Sequence, residues 1–446
     1  MRIGIDVSTI LNFGVNVGSG RYIINLIKGL LSLNEKINKQ KNNERKLFNL
    51  QKDILNEADE VENKKRYDEK DNNEKVSEKL LKEKIFKDKL FKNNSFILTG
   101  WYTSRENFHH ITELKEKYPN VEIKLNFFKL TQEKFNNWDK RGFPPIEFKG
   151  FKADILHCPD YLILPTLNKN IILTIHDLSF YRFPEFNFEW FIKKYQSLVL
   201  KNAQRAKKII ADSDSTKHDI INFLKIDRQK IDVVYLAADE KFRVMASKEK
   251  TEKFKKEINE KFKIPKKYIF SVGTIEPRKN FKILIKAFNV FKKSFTESEN
   301  YCLVIAGKTG WKSEETFEEY RQSPFKEDII FTGGVNDEEL VTLYNQASLF
   351  VYPSIFEGFG LPVLEAMSCG LPVITTDTSS IPEIYPDKDF LLNPFDEVEM
   401  AKKINLVLTN ENLRKSLINF SLEMAKKFSW EETALKTMKI YYSCIK

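Results

Sequence analysis

Short, unbroken apolar runs recur along the chain, separated by longer stretches whose apolar positions fall three or four residues apart. The runs lie at Arg2–Asp6, Phe96–Gly100, Val121–Asn126, Ile155–His157, Ile171–Ile175, Lys208–Ala211 and Asp232–Tyr235. A second set follows at Tyr268–Val272, Tyr301–Ala306, Ile329–Thr332, Leu349–Tyr352, Pro372–Thr375 and Phe390–Leu392. Continuous apolar runs predict parallel strands buried on both faces, and the stretches between them predict crossover helices. Two successive sets predict two doubly wound α/β domains, over residues 1–240 and 241–425, with residues 426–446 as a helix packing back toward the first. Lys241–Lys267, rich in Lys and Glu and closing on Ile264-Pro265, reads as the connection between them.

One segment breaks the alternation. Of the 52 residues from 41 to 92, 28 are charged, and none is Gly or Pro. A flexible linker would carry Gly, Ser or Pro instead. Leu47, Leu50, Ile54 and Leu55 recur at helical spacing, as do Leu81, Ile85, Phe86 and Leu90. The pattern predicts two amphipathic helices, or a hairpin of them, inserted at about 34–95. A charged, low-complexity excursion with no role is the competing reading.

Composition narrows the class. The 446 residues are 41% hydrophobic and 30% charged, which excludes a wholly disordered chain. No stretch approaches the ~20 continuous apolar residues of a membrane span. Asp6 interrupts the first apolar run too early for a secretory core, and Cys158, Cys302, Cys369 and Cys444 form no C-x-x-C pair. The expectation is a reduced, cytoplasmic protein. Its net charge of +10 favours anionic partners, namely nucleotides, nucleic acid or a membrane surface. No basic stripe interleaved with aromatics supports nucleic acid.

The richest motif runs from Pro353 to Pro372 and follows an apolar strand. Gly358 and Gly360 make a loop that a ligand can approach closely, Pro362 suits the first helical turn, and Gly370 with Pro372 ends the helix. Unpaired amides at such a helix start attract phosphate. Glu357 precedes the helix and Glu365 lies within it, so the two carboxylates can reach different hydroxyls of one ligand. A second constellation, Gly273-Thr274-Ile275-Glu276-Pro277-Arg278-Lys279-Asn280, also follows a strand. There Arg278 offers a fork and Lys279 a point charge to a diphosphate. Near the N-terminus, Gly18-Ser19-Gly20 lacks the third glycine of a dinucleotide fingerprint, Ile23 standing there, yet suits close approach of phosphate. His176 and Asp177 end a buried strand, where a capped core residue and a ligand contact are both open.

Two further motifs lead nowhere. Gly307-Lys308-Thr309 resembles the end of a P-loop, but the first glycine position is Cys302. Asp212-Ser213-Asp214 resembles a metal clamp, but it opens the helical run Thr216–Leu224, where Asp and Ser are ordinary caps. No His/Cys cluster has zinc spacing.

Taken together, Glu357 to Glu365, Arg278-Lys279-Asn280, His176-Asp177 and the terminal Phe428-Ser429-Trp430-Glu431-Glu432 resemble family 4 of the retaining glycosyltransferases. That resemblance implies the GT-B fold, two Rossmann-like domains facing a central cleft. It implies catalytic roles for His176, Arg278, Lys279 and Glu357. Arg278 and Lys279 would hold the donor diphosphate with the amides of Gly358, Phe359, Gly360 and Leu361, aided by Gly18, Gly20 and Gly273. Glu357 would bind the transferred sugar, Glu365 the ribose, and Val335 would lie at the base. It further implies a nucleotide-sugar donor, GDP-mannose favoured over a UDP-sugar, and no obligatory metal or other cofactor. The acceptor would be a glycan or lipid-linked molecule. Separately, the basic charge together with 36 Phe and 16 Tyr suggests a surface of the first domain that meets anionic lipids reversibly. A sugar-nucleotide epimerase and a non-catalytic sugar-nucleotide-binding subunit are the alternatives; both are disfavoured because the four charged residues are intact. Ala237-Ala238 replaces the family's usual Asn-Gly.

Overall fold

The computed structural model describes residues 1–15, 18–58, 90–91, 94–245, 256–265 and 267–445, with backbone alone over 41–58. Among the described residues, thirteen strands form two parallel sheets. The first has seven strands in the order β3-β2-β1-β4-β5-β6-β7, and the second has six in the order β10-β9-β8-β11-β12-β13. In the first sheet these are β1 Arg2–Asp6, β2 Ser95–Tyr102, β3 Glu122–Lys129, β4 Ile155–Cys158, β5 Ile171–Ile175, β6 Lys208–Ala211 and β7 Ile231–Val233. In the second they are β8 Lys267–Val272, β9 Tyr301–Ala306, β10 Ile329–Gly333, β11 Leu349–Tyr352, β12 Val373–Thr376 and β13 Leu391–Leu392. The central strands are buried on both faces, as their near-continuous apolar sequences require.

Both sheets reverse their order once, between β1 and β4 and between β8 and β11. Loops leaving neighbouring strands at such a reversal part in opposite directions and open a crevice at the strands' carboxyl ends. The loops after β8 and β11 are the two motif-bearing segments, Gly273–Asn280 and Pro353–Gly360. Helix Phe281–Ser294 covers the second sheet through Phe281, Leu284, Ile285, Phe288 and Phe291, a stripe at helical spacing.

Two expectations need correcting and a third gains detail. The first long helix, α1, runs without a break over Gly18–Ala58. Gly18 and Gly20 therefore stand in its first turn rather than in a preceding loop. The first stripe of the charged segment, Leu47 to Leu55, lies in the continuation of α1 rather than in a separate helix; the second stripe, Leu81 to Phe86, lies outside the described residues. The segment's edges also belong to the core, because Ile37, Leu90 and Phe91 are buried with the first domain's apolar residues. Finally, the connection over Lys241–Lys267 contains a helical stretch at 256–262, anchored by buried Ile258 and Ile264.

The C-terminal helix Trp430–Ile445 lies on α1. Its Tyr441 hydroxyl is 2.6 Å from His157 Nδ1, and His157 Nε2 is 2.8 Å from Thr174 Oγ1. Burial, reinforced by the nearby His176, lowers His157 to about 3, so this histidine is a neutral core residue. Among the described residues no helix is long and apolar enough to cross a membrane.

Phe91 is fully buried, so Phe91→Ala should cost about 3–5 kcal/mol, the usual price of a large core truncation. Urea unfolding measures this. A loss under about 1 kcal/mol would show that the charged segment's end does not belong to the core.

Candidate active site

The second sheet's crevice is built around one buried carboxylate. Glu357, in the loop after β11, accepts from Lys279 Nζ at 2.7 Å, Tyr352 hydroxyl at 2.9 Å and Ser354 hydroxyl at 2.5 Å, all on Oε1. Its Oε2 lies 3.2 Å from Arg278 Nη1. Burial alone would raise this carboxyl, but Lys279 and Arg278 outweigh it and hold it down to about 2. Burial lowers Lys279 in turn, opposed by Glu357; the short contacts favour the charged pair. The Arg278 fork is fixed by Glu276 Oε1 at 2.7 Å and the Phe356 carbonyl at 2.9 Å. Two strand ends thus place two cations and two carboxylates in contact.

The loop that follows explains its glycines. Gly360 has φ +103°, a left-handed conformation that strains any side chain. At Gly358 the constraint is steric, because a Cβ there would overlap the His176 carbonyl oxygen of the other domain. Helix Leu361–Ser368 (α2) begins at this turn with Pro362 in its first turn. Among the described residues, the amides of Gly358, Phe359 and Gly360 donate to no protein acceptor. The turn is therefore free to receive an anion.

The first domain supplies the opposite wall. His176 follows β5, and its Nδ1 lies 2.7 Å from Asp212 Oδ2 while its Nε2 lies 3.1 Å from the Pro159 carbonyl. Burial would depress the imidazolium, but the Asp212 carboxylate overrides it and His176 is pushed up to about 9. Burial pushes the Asp212 carboxyl up as well, yet the 2.7 Å contact favours an ion pair. Tyr22, just after the glycine turn of α1, packs edge-on against the His176 ring at 4.9 Å between centroids. Ser213 caps helix Asp214–Leu224 (α3), as its sequence suggests, and Thr216 in that helix reaches the carbonyls of His176 and Gly358 at 3.1 and 3.2 Å. Glu383 from the second domain receives the Asp214 and Ser215 amides, each at 2.8 Å. These contacts close the two domains on each other beside the Glu357 loop.

At the far end of the crevice, buried Glu365 receives Tyr344 hydroxyl at 3.0 Å on Oε2 and Arg21 Nη1 at 2.9 Å on Oε1. Arg21 Nη2 also meets Asp337 Oδ1 at 2.6 Å, and Lys241 Nζ meets Asp337 Oδ2 at 2.5 Å. A cavity of about 200 Å³ opens beside this cluster, lined by Arg21, Phe242, Asp337, Leu361 and Glu365 among others.

The anticipated residues fall into two groups and a remainder. Arg278, Lys279 and Glu357 are in mutual contact, with Gly358 against His176; Gly273 closes β8 and packs on the Lys279 stem. Glu365 and Leu361 share the cavity. Gly18 is exposed and Gly20 buried. Val335 is half-buried on the core two residues before Asp337, and Phe359 turns into an aromatic cluster with Tyr235 and Phe428. The sequence reading missed Arg21, Asp212, Glu276 and Asp337. Arg21 alone carried a signal: a cation in the first turn of a helix opposes the helix dipole and calls for an anionic partner. Among the described residues no group of acids, histidines or cysteines is arranged to hold a metal.

Comparison with known proteins agrees with this architecture. Residues 249–424 match the family model for glycosyl transferases group 1, and residues 112–242 match that for Glycosyltransferase Family 4. The O-antigen chain mannosyltransferase B of Escherichia coli is 29% identical over 294 residues, covering 66% of this chain and 75% of that protein. The serotype-specific mannosyltransferase WbdA of Escherichia coli is 32% identical over 282 residues, 62% of this chain; the match spans only 32% of that longer protein. In structure, a glycosyltransferase from Rickettsia africae superimposes with a TM-score of 0.60 at 18% identity, over 100% of this chain and 98% of the other. WaaG, a glycosyltransferase involved in lipopolysaccharide biosynthesis, gives 0.56 at 16% identity over 78% and 91%.

The His176–Asp212 pair sets a pH dependence. His176 is raised from its ordinary 6.5 to about 9, so its stabilising charge is complete below about 6.5 and is lost as pH rises through 9. Stability should fall across that window. Asp212→Asn should flatten this slope, return the His176 titration toward or below 6.5, and cost about 1–3 kcal/mol at pH 6.5. Histidine-labelled NMR titration and urea melts at several pH values measure both; an unchanged His176 titration in the variant would refute the pairing.

Proposed function

We propose that the chain, which matches the family models for glycosyl transferases group 1 and Glycosyltransferase Family 4 and has the GT-B fold, moves a hexose, mannose favoured, from a nucleotide-activated donor to a glycan or lipid-linked acceptor. The observation that carries this reading is the contact of Arg278, Lys279 and Glu357 at the carboxyl ends of β8 and β11, beside the free amides of the Gly358–Gly360 turn. Lys279 has three donors and uses two, on Tyr352 and Glu357. Its third donor and the unused N–H groups of Arg278 are available to a diphosphate. Charge that builds on a leaving diphosphate is best stabilised by such fixed cations and helix-end amides in a site closed to water. Glu357, already oriented by three donors on one oxygen, has its second oxygen for hydroxyls of the transferred sugar. Glu365 lies at the other end of the crevice, suited to the ribose.

The mannose preference is supported by the names of the similar proteins, which are mannosyltransferases. GDP-mannose is the favoured donor, with retention of anomeric configuration by same-face attack and no obligatory metal. An aromatic patch supports reversible contact with an anionic bilayer at the inner face of the membrane. Phe143 and Phe148, 64% and 67% exposed, meet edge to face, and exposed Leu167 adjoins them through Glu147. Lys140, Arg141, Lys149 and Lys152 flank them in sequence. Exposed aromatics beside cations suit an anionic interface.

Donor hydrolysis and transfer across GDP- and UDP-sugars test the reaction. Arg278→Ala should cost about 2–4 kcal/mol of transition-state stabilisation, felt in turnover. Glu365→Gln should mainly raise the donor Michaelis constant, and Glu357→Gln should affect both constants and alter discrimination among sugars. Wild-type turnover in both Arg278→Ala and Glu357→Gln would remove these residues from the chemistry. For the membrane, flotation with anionic vesicles at low salt should bind the protein, and Phe143→Ser/Phe148→Ser should weaken this; no flotation at any ionic strength ends that idea.

A further inference from the structure

We infer that Arg21 is a donor-binding residue, holding Glu365 in place for the ribose and offering its free Nε–H to an oxygen of the nucleotide. The inference rests on the reading of Glu365 as the ribose residue.

Three observations point this way. First, Arg21 stands in the first turn of α1, where the helix dipole disfavours a cation. Its side chain is nonetheless four-fifths buried and crosses to the other domain, where Glu365 and Asp337 receive its two terminal nitrogens at 2.9 and 2.6 Å. Second, each of those carboxylates is fixed on its other oxygen by a different group, Tyr344 for Glu365 and Lys241 for Asp337. Arg21 therefore completes the orientation of a carboxylate whose remaining lone pairs are open to ribose hydroxyls. Third, Arg21 Nε is buried and has no acceptor among the described residues. A buried, unmet donor on a charged group costs on the order of 1–3 kcal/mol, and native proteins seldom leave one without a ligand or water to take it.

The surroundings match the chemistry of a nucleotide. Arg21 lines the cavity of about 200 Å³ together with Glu365, Leu361 and Phe242, in walls that carry both cations (Lys28, Lys117) and acids (Glu113, Asp239). The Phe242 ring lies 5.8 Å from the Arg21 guanidinium carbon. Lysine would serve less well, because its compact ammonium lacks the planar fork that spans two separate carboxylates from two nitrogens and fixes the direction of the remaining N–H. Through Arg21 the first domain would grip a nucleotide seated on the second.

Calorimetric titration of the full chain with GDP, and with UDP in parallel, tests the inference using the tighter ligand. Arg21→Ala should weaken binding tenfold or more, and Arg21→Lys should recover only part. Glu365→Gln should weaken it too, and the double variant should lose less than the product of the two single losses. The loss in nucleotide affinity should also exceed any loss of stability of the nucleotide-free protein in urea melts, a separation that a merely structural tie between domains would not produce. Circular dichroism confirms folding, and Arg21→Gln replaces Arg21→Ala if the alanine variant does not fold. Wild-type or tighter binding by the Arg21 variants, or losses that simply multiply, would overturn the inference. If Glu365→Gln alone bound as wild type, the ribose reading itself would fall; if it were weakened while Arg21→Ala was not, only the inference would. Failure of both nucleotides to bind the wild-type chain would remove both.

Discussion

A carboxylate taken out of water must find compensating charge, and the crevice of the second domain is arranged around how Glu357 does so. Its burial would cost several kcal/mol if it stood alone. Lys279 and Arg278 meet it from the loop after the neighbouring strand, and Tyr352 and Ser354 complete its coordination. Each partner is itself constrained: Arg278 by Glu276 and the Phe356 carbonyl, Ser354 also by the Arg278 carbonyl. Because two loops contribute opposite charges, neither can shift without exposing an unpaired ion. The cations are thereby preorganised for a second anion at no further ordering cost, which is the condition for strong electrostatic stabilisation.

The two domains meet through backbone at this point, and that choice has consequences. Gly358 approaches the His176 carbonyl so closely that no side chain could be accommodated. Thr216 bridges the same carbonyl and that of Gly358, while Glu383 satisfies two orphan amides at the start of α3. A helix start that would otherwise need water or a cap is thus capped by the other domain. Away from this seam, Arg21 makes an ionic tie to Glu365 and Asp337, while Trp311 and Lys312 donate to the carbonyls of Phe186 and Asn187. Backbone contact beside the Glu357 loop and the Arg21 ion pairs beside the Glu365 cavity divide the crevice into a tightly fitted region and an open one.

Much of this was legible in the chain. Continuous apolar runs located the strands because parallel strands are buried on both faces, and the glycines and prolines of 353–372 marked the loop and helix that β11 feeds. The first turn of α1 was not legible. Glycines usually argue against helix, but here tertiary packing carries the helix back through Gly20, which is buried, to Gly18. Asp212 was passed over for a sound local reason, since Asp-Ser-Asp before a helix reads as a cap. Ser213 does cap; Asp212 turns inward to a histidine 36 residues earlier, a pairing that no local pattern records. Asp337 escaped for the same reason, since its partners Arg21 and Lys241 are set by the approach of distant segments. Glu276 differs: its partner Arg278 stands only two residues on, within the same loop.

The state of His176 limits what the site can do. A carbonyl oxygen and a carboxylate only accept hydrogen bonds, so a ring placed between Pro159 and Asp212 must donate from both nitrogens. Its titration near 9 keeps it an imidazolium at neutral pH. A ring that already holds two engaged protons cannot take a third, so His176 has no means of deprotonating an acceptor hydroxyl. What it retains is a fixed positive charge at the wall of the crevice and a backbone carbonyl pressed against the Gly358 turn. Negative charge that develops in that space is met by cations on both sides, Arg278 and Lys279 from one domain and His176 from the other. On the proposed reaction, the proton released by an acceptor would be taken up by the group that gains negative charge as its bond breaks, which in a nucleotide-sugar is the diphosphate.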